Sequence, residues 1–120
     1  MPQRKEATLL PNDYTCDNMI LYPDDVTKII GVPDWGTCRI GDPLSGLGTA
    51  LAYLVDAKDS SDLQQVRWNP SNYPGPLTRA QLVERYALAT GRDISSMAFY
   101  LAFARFKVAV ILQQIDLVAP

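Results

Sequence analysis

The chain of 120 residues contains no histidine, which removes the commonest general base and the commonest zinc ligand. It has two cysteines, Cys16 and Cys38, which are too few for a disulfide framework and lack the spacing of a zinc site. Acid–base chemistry therefore falls to carboxylates, lysines, tyrosines or a thiol. We expect both cysteines to be small buried side chains in a reducing compartment.

Charge and hydropathy argue against a nucleic-acid-binding, a secreted or a membrane-spanning protein. The 11 basic and 13 acidic residues give a net charge of -2, and no basic stripe suited to nucleic acid is present. The polar N-terminus lacks the apolar core of a signal peptide. The most apolar run, residues 97–112, is interrupted by Arg105 and Lys107, which favours a buried helix over a membrane span. We expect a cytoplasmic protein with no nucleic-acid and no membrane partner.

Length and composition predict one folded unit. Apolar residues make up 48% of the chain, enough for a packed core, and its length suits one modest domain. Residues 1–8 are expected to form a flexible arm and residues 9–118 the domain. Two β-prone segments flank the turn signal Pro23-Asp24-Asp25, and they predict a short antiparallel hairpin over about residues 18–33.

Helix signals follow the hairpin. Asp42 and Pro43 suit the N-cap and first position of a helix that runs to about residue 55. Thr78-Arg-Ala-Gln81 is a capping box, and Gly91 suits the C-cap of the helix that it opens. A third helix, from about residue 95 to 117, is apolar on nearly every side, which predicts a central place in the core.

Several other side chains have structural explanations. The aromatic stripe of the third helix is expected in the core: Phe99, Phe103 and Phe106. Residues 56–77 read as a long surface loop, in which Asp59 and Asp62 are expected to be solvated. Trp68 and Tyr73 in this loop either line a substrate cleft or fold back on the helices.

The arrangement with the most chemical content joins Asp13, Asn18 and Asp34. Asp13 and Asn18 are five residues apart, and Asp34 follows the predicted hairpin. Phosphoryl transfer needs a carboxylate that orients a hydroxyl, and oxygen ligands for magnesium that converge on one phosphate. This spacing is the one with which kinase-type folds assemble such a site. The same residues could instead be polar loop residues that cap turns.

Five motifs resemble the phosphotransferase family that includes aminoglycoside phosphotransferases and choline-kinase-like enzymes, and especially the kinase-like domains found with acyl-CoA dehydrogenases. In sequence order they are Asn12-Asp13-Tyr14 through Leu21, Val32-Pro33-Asp34-Trp35, Gly41-Asp42-Pro43-Leu44, Leu77 through Tyr86, and Thr90 through Phe103. The resemblance implies an α+β, mainly α fold. It would be a short β-hairpin packed on a three-helix core, as in a protein-kinase-like C-terminal lobe that lacks its N-terminal lobe.

The resemblance also implies roles for the three residues. Asp13 matches the catalytic aspartate, and Asn18 and Asp34 match the residues that hold magnesium. ATP would be the phosphoryl donor, and a small-molecule hydroxyl the acceptor. Asp34 could equally bond to the catalytic loop and do nothing else.

Departures from the family pattern lead to a second hypothesis. Pro11 and Asn12 stand where the family has His and Gly, and Gly36 and Gly46 stand where it has acids. No Gly-rich loop and no strand-borne lysine precede Asp13, so we expect the chain to be inactive alone. The alternative is a non-catalytic remnant or interaction domain. Its apolar surface, which the missing N-terminal lobe would otherwise cover, would favour self-association or binding of a partner, such as that lobe.

Overall fold

The computed structural model describes residues 6–65 and 77–118. The strands in these ranges are β1 (Thr8–Leu10), β2 (Ile20–Tyr22), β3 (Asp25–Gly31) and β4 (Arg39–Gly41). They form two antiparallel pairs, β1 with β4 and β2 with β3. The β2–β3 pair confirms the predicted hairpin. The β1–β4 pair, in which Leu10 faces Arg39, was not predicted, because its strands are short and far apart in the sequence.

The helices in the described part of the chain are α1 (Pro43–Ala52), α2 (Ser61–Gln65), α3 (Arg79–Thr90) and α4 (Met97–Val118), with a 3-10 turn at Cys16–Asn18. Helix α1 begins as predicted, because the Leu44 amide donates to Asp42 Oδ1 at 2.9 Å. Helix α3 has the predicted reciprocal capping box of Thr78 and Gln81. It ends at Gly91, whose φ of 68° is the left-handed conformation of a C-cap.

The core lies between α1 and α4, with α3 beside them. Its buried and partly buried members are Leu44, Leu47, Leu51, Leu54, Leu82, Val83, Tyr86, Ile94, Met97, Tyr100 and Leu101. Gly48 allows the close crossing of α1 and α4, since a Cβ there would lie 2.8 Å from the Tyr100 carbonyl oxygen. The Tyr100 hydroxyl also donates to Asp42 Oδ2 at 2.9 Å, which fixes the start of α1 against α4. The predicted α+β, mainly helical class is confirmed.

The two sheets contribute unequally to this core. Strand β1 contributes one buried side chain, Leu10, which is 6% exposed, whereas no residue of β2 or β3 is buried. The contact of the sheets with the helical layer is therefore clearest at β1, beside the segment that leads to Asp13.

The expectation that α4 is buried on nearly every side was wrong. Its buried residues are Met97, Ala104 and Val108, which follow one stripe of the helix. The aromatic residues assigned to the core are partly or largely exposed: Phe99, Phe103 and Phe106. In the described ranges, no helix is long and apolar enough to cross a lipid bilayer.

Two further expectations need correction. Cys16 and Cys38 are both exposed free thiols, not buried side chains. The segment predicted as a continuous loop contains α2, and Trp68 and Tyr73 lie outside the described residues.

Asp59 is not the solvated loop residue that was expected, because Arg79 binds it. The guanidinium donates from Nη1 to Asp59 Oδ1 at 2.8 Å and from Nη2 to Oδ2 at 2.5 Å. It also donates to the carbonyl oxygens of Leu51 and Leu54 at the end of α1. The side chains of Arg79 and Asp59 are 13% and 9% exposed. This pair therefore joins the end of α1, the following loop and the start of α3.

Candidate functional site

The segment between β1 and β2 carries Asp13 and Asn18. Its 3-10 turn closes through the Asn18 amide, which donates to the Thr15 carbonyl oxygen at 3.0 Å. The Asn18 side chain reaches back, and its Nδ2 donates to the Asp13 carbonyl oxygen at 2.9 Å. Both side chains are half-buried. Because this bond uses the amide nitrogen, it leaves the amide oxygen of Asn18 available to a cation.

The segment between β3 and β4 carries Asp34 immediately before a tight turn of residues 35–38. Asp34 has a φ of 61°, a left-handed conformation that is uncommon outside glycine and best tolerated by Asn and Asp. Trp35 Nε1 donates to the Val32 carbonyl oxygen at 2.6 Å, and the Cys38 amide donates to the Trp35 carbonyl oxygen at 3.0 Å. A Cβ on Gly36 would lie 3.5 Å from Asp34 Oδ1. The acid that the family pattern has at position 36 would therefore lie beside Asp34.

Two hydrogen bonds join these segments. Asn12 Nδ2 donates to the Thr37 carbonyl oxygen at 2.8 Å, and Thr37 Oγ1 donates to the Pro11 carbonyl oxygen at 3.1 Å. Asn12 is also left-handed, with a φ of 60°. The residue before Asp13 is thus held to the turn that follows Asp34.

The structure therefore places the three sequence-predicted residues on two segments that lie side by side. Convergence of their oxygens on one cation stays a prediction. Among the described residues, no three His, Cys, Asp or Glu side chains form a metal-binding group. A magnesium site here would use the carboxylate of Asp34 and the amide oxygen of Asn18, with phosphate oxygens and water. These hard oxygen donors fit that ion.

Tyr53 is a neighbour of Asp13 that the sequence analysis missed. Burial, and secondly the negative charge of Asp13, raise the pKa of the Tyr53 phenol. Tyr53 follows α1 and lines a cavity of about 220 Å³, together with apolar residues of α1, α2 and α4 and the charged residues Asp59, Arg79 and Arg105. Its sequence signal was weak, because an aromatic residue at the end of a helix is usually a packing residue.

Leu10 explains one departure from the family pattern. A Cβ at Gly46 would lie 3.0 Å from Leu10 Cδ2, and one at Gly41 would lie 3.0 Å from Leu10 Cδ1. The leucine side chain would therefore have to shift slightly to admit an acid at position 46.

Comparison with known proteins gives a consistent result. The profile of the phosphotransferase enzyme family matches residues 1–100. Acyl-CoA dehydrogenase family member 10 of Mus musculus is 30% identical over 115 residues, which are 94% of this chain and 11% of that protein. Family member 11 of Pongo abelii is 29% identical and that of Homo sapiens 26%, each over 110 residues, 90% of this chain and 14% of the relative. The chain thus spans a small part of these relatives. No solved structure matches it.

Proposed function

The chain belongs to the phosphotransferase enzyme family, and from that premise we propose that it carries the catalytic and metal-binding loops of an ATP-dependent enzyme. The enzyme would transfer a phosphoryl group to a small-molecule hydroxyl. Asp13 is the catalytic residue, and Asn18 and Asp34 hold magnesium. The observation that supports this most is the hydrogen bond from Asn18 Nδ2 to the Asp13 carbonyl oxygen, because it holds the proposed magnesium ligand Asn18 next to the proposed catalytic residue Asp13.

The residues of this chain act by positioning. The Asp13 carboxylate accepts a hydrogen bond from the acceptor hydroxyl and takes its proton as the new oxygen–phosphorus bond forms and the bond to the ADP oxygen breaks. Magnesium, when bound, supplies charge neutralisation at the phosphate oxygens. Orientation and charge neutralisation account for most of the rate in such transfers.

We place the remainder of the ATP site outside this chain. Kinase-like enzymes position the phosphates with a lysine on a strand before the catalytic loop, whereas β1, the strand described before Asp13, carries no lysine. The isolated chain is therefore proposed to be inactive. Its two exposed free thiols suit the reducing cytoplasm, which is the compartment that we propose.

Thermal unfolding with magnesium and ATP tests this proposal. Binding to the native state raises the free energy of unfolding by about 2.7 kcal/mol at a hundredfold excess over the dissociation constant. We expect a magnesium-dependent rise in Tm for the wild type and for Asp24→Asn, an exposed turn carboxylate that serves as the control. Asp34→Asn should abolish the rise. Equal rises in all three proteins would contradict the proposed site.

Exposed apolar side chains favour a second candidate, a non-catalytic interaction domain whose partner is a second copy of the chain. They lie on the β2–β3 hairpin and on α4, and include Leu21, Tyr22, Val26, Ile29, Ile30, Phe99, Phe103, Phe106, Ile111 and Ile115. Such a surface invites self-association. Light scattering would show a dimer that forms as concentration rises. A monomer throughout the soluble range would count against this candidate.

A further inference from the structure

Two hydrogen bonds from side chains, those of Asn12 and Thr37, join the chain segments just beyond the end of the β1–β4 backbone ladder. The ladder matches Thr8 with Gly41 and Leu10 with Arg39, and the same register extended by two residues would match Asn12 with Thr37. Pro11 has no backbone N–H to donate within such a ladder. Instead the Asn12 side chain donates to the Thr37 carbonyl oxygen and Thr37 Oγ1 donates to the Pro11 carbonyl oxygen. We name these two bonds the Asn12–Thr37 clamp.

The clamp makes use of an unusual backbone conformation. Asn12 has a φ of 60°, where glycine would be the unstrained residue, and where the family resemblance has glycine. A glycine could not donate a side-chain hydrogen bond. Asparagine tolerates the left-handed region of φ better than most residues. Here its side-chain amide donates to the carbonyl oxygen of Thr37, which is 25 positions later in the sequence. Left-handed conformations of non-glycine residues persist where the surrounding structure holds them, and they cluster at functional sites.

The clamp joins the segment that carries Asp13 to the segment that carries Asp34. Asn12 immediately precedes Asp13, and Thr37 lies in the turn of residues 35–38 that follows Asp34, itself left-handed with a φ of 61°. We propose that Asn12 and Thr37 are positioning residues that hold the segment of Asp13 and Asn18 against the segment of Asp34, so that Asn18 and Asp34 can bind one divalent cation beside the Asp13 carboxylate. This inference rests on the proposed function. It assigns to this chain a brace that uses an asparagine where its family pattern has glycine.

Binding of Mn²⁺, followed by the electron paramagnetic resonance signal of the free ion, tests the clamp without any need for catalysis. Asn12→Gly removes the donor and suits the left-handed backbone, so it should fold. Thr37→Val removes the hydroxyl at nearly equal size, and Thr37→Ser keeps it. Asp34→Asn removes a proposed ligand. Far-UV circular dichroism and Tm establish that each variant is folded.

We expect Asn12→Gly and Thr37→Val to weaken Mn²⁺ binding by about tenfold, as loss of outer contacts does at metal sites. Thr37→Ser should bind as the wild type does, and Asp34→Asn should lose binding. A purely structural role would lower Tm without changing the affinity of the folded protein.

The outcomes separate the two proposals. Binding that is lost in Asp34→Asn but unchanged in Asn12→Gly and Thr37→Val would overturn the clamp and leave the metal site standing. Wild-type protein that binds no Mn²⁺ would overturn both.

Discussion

Replacing Arg79 with methionine is expected to destabilise the protein by about 3 kcal/mol. Methionine keeps the length and helix propensity of the side chain, so the change removes mainly the guanidinium. The backbone amide of Arg79, which donates to Asp56 Oδ2 at 3.1 Å, is retained. The loss is therefore that of the buried contacts with Asp59 and with the end of α1.

The magnitude follows from what the substitution leaves behind. Breaking a buried ion pair by removing one partner costs about 3–5 kcal/mol. Asp59, 9% exposed, would keep the Asp56 amide at 2.8 Å and Arg105 at 3.7 Å, and these partners place the cost at the lower end of that range. The carbonyl oxygens of Leu51 and Leu54 would also lose a donor.

Urea unfolding followed by circular dichroism measures this cost. Arg85→Met is the control, because Arg85 is an exposed residue of the same helix, and it should change stability by less than about 0.5 kcal/mol. Arg79→Met combined with Asp59→Leu should cost less than the sum of the two single changes, since no buried charge is left unpaired. A loss below about 1 kcal/mol in Arg79→Met would refute the reasoning.

The remaining predictions concern pH, packing and thiol exposure. Hydrogen bonding from Arg79 lowers the pKa of Asp59 in the folded protein. The stability that the Asp59 carboxylate contributes is therefore complete above the pKa of the unfolded chain and is lost as pH falls through the lower folded value. In an acid titration, Asp59→Asn should flatten the decline of stability below about pH 4. Gly48→Ala should cost about 1–3 kcal/mol in the same urea assay, because its Cβ would meet the Tyr100 carbonyl oxygen at 2.8 Å. Both Cys16 and Cys38 should react with a thiol reagent in the folded protein, and protection of either would contradict their exposure.

Features set by short-range hydrogen bonds could be predicted from the sequence. The partners in the Asp42 cap of α1 and in the Thr78–Gln81 box of α3 are no more than three positions apart, so a short stretch of sequence contains the whole interaction. The β2–β3 hairpin could be predicted for a similar reason, since the two paired strands are consecutive in the sequence and joined by a short turn. The bond from Asn18 Nδ2 to the Asp13 carbonyl oxygen, five positions away, was not specified by the sequence analysis.

Features that depend on distant partners could not be predicted. Asp59 looked solvated because its partner, Arg79, is 20 positions away. The apolar residues of α4 predicted a helix, but they do not show how much of its surface packs against other elements. Phe106, which is 65% exposed, was therefore wrongly assigned to the core. Asn12 was visible only as a departure from a family pattern, because its bond to Thr37 exists only when β1 and β4 pair.

Paramagnetic broadening by Mn²⁺ of assigned nuclear magnetic resonance signals is the most direct test of the shared cation site. With trace Mn²⁺, the account predicts that the signals of Asp13, Asn18 and Asp34 broaden together, ahead of those of exposed carboxylates such as Asp24. Broadening centred on Asp24, or on one of the three residues without the other two, would contradict it.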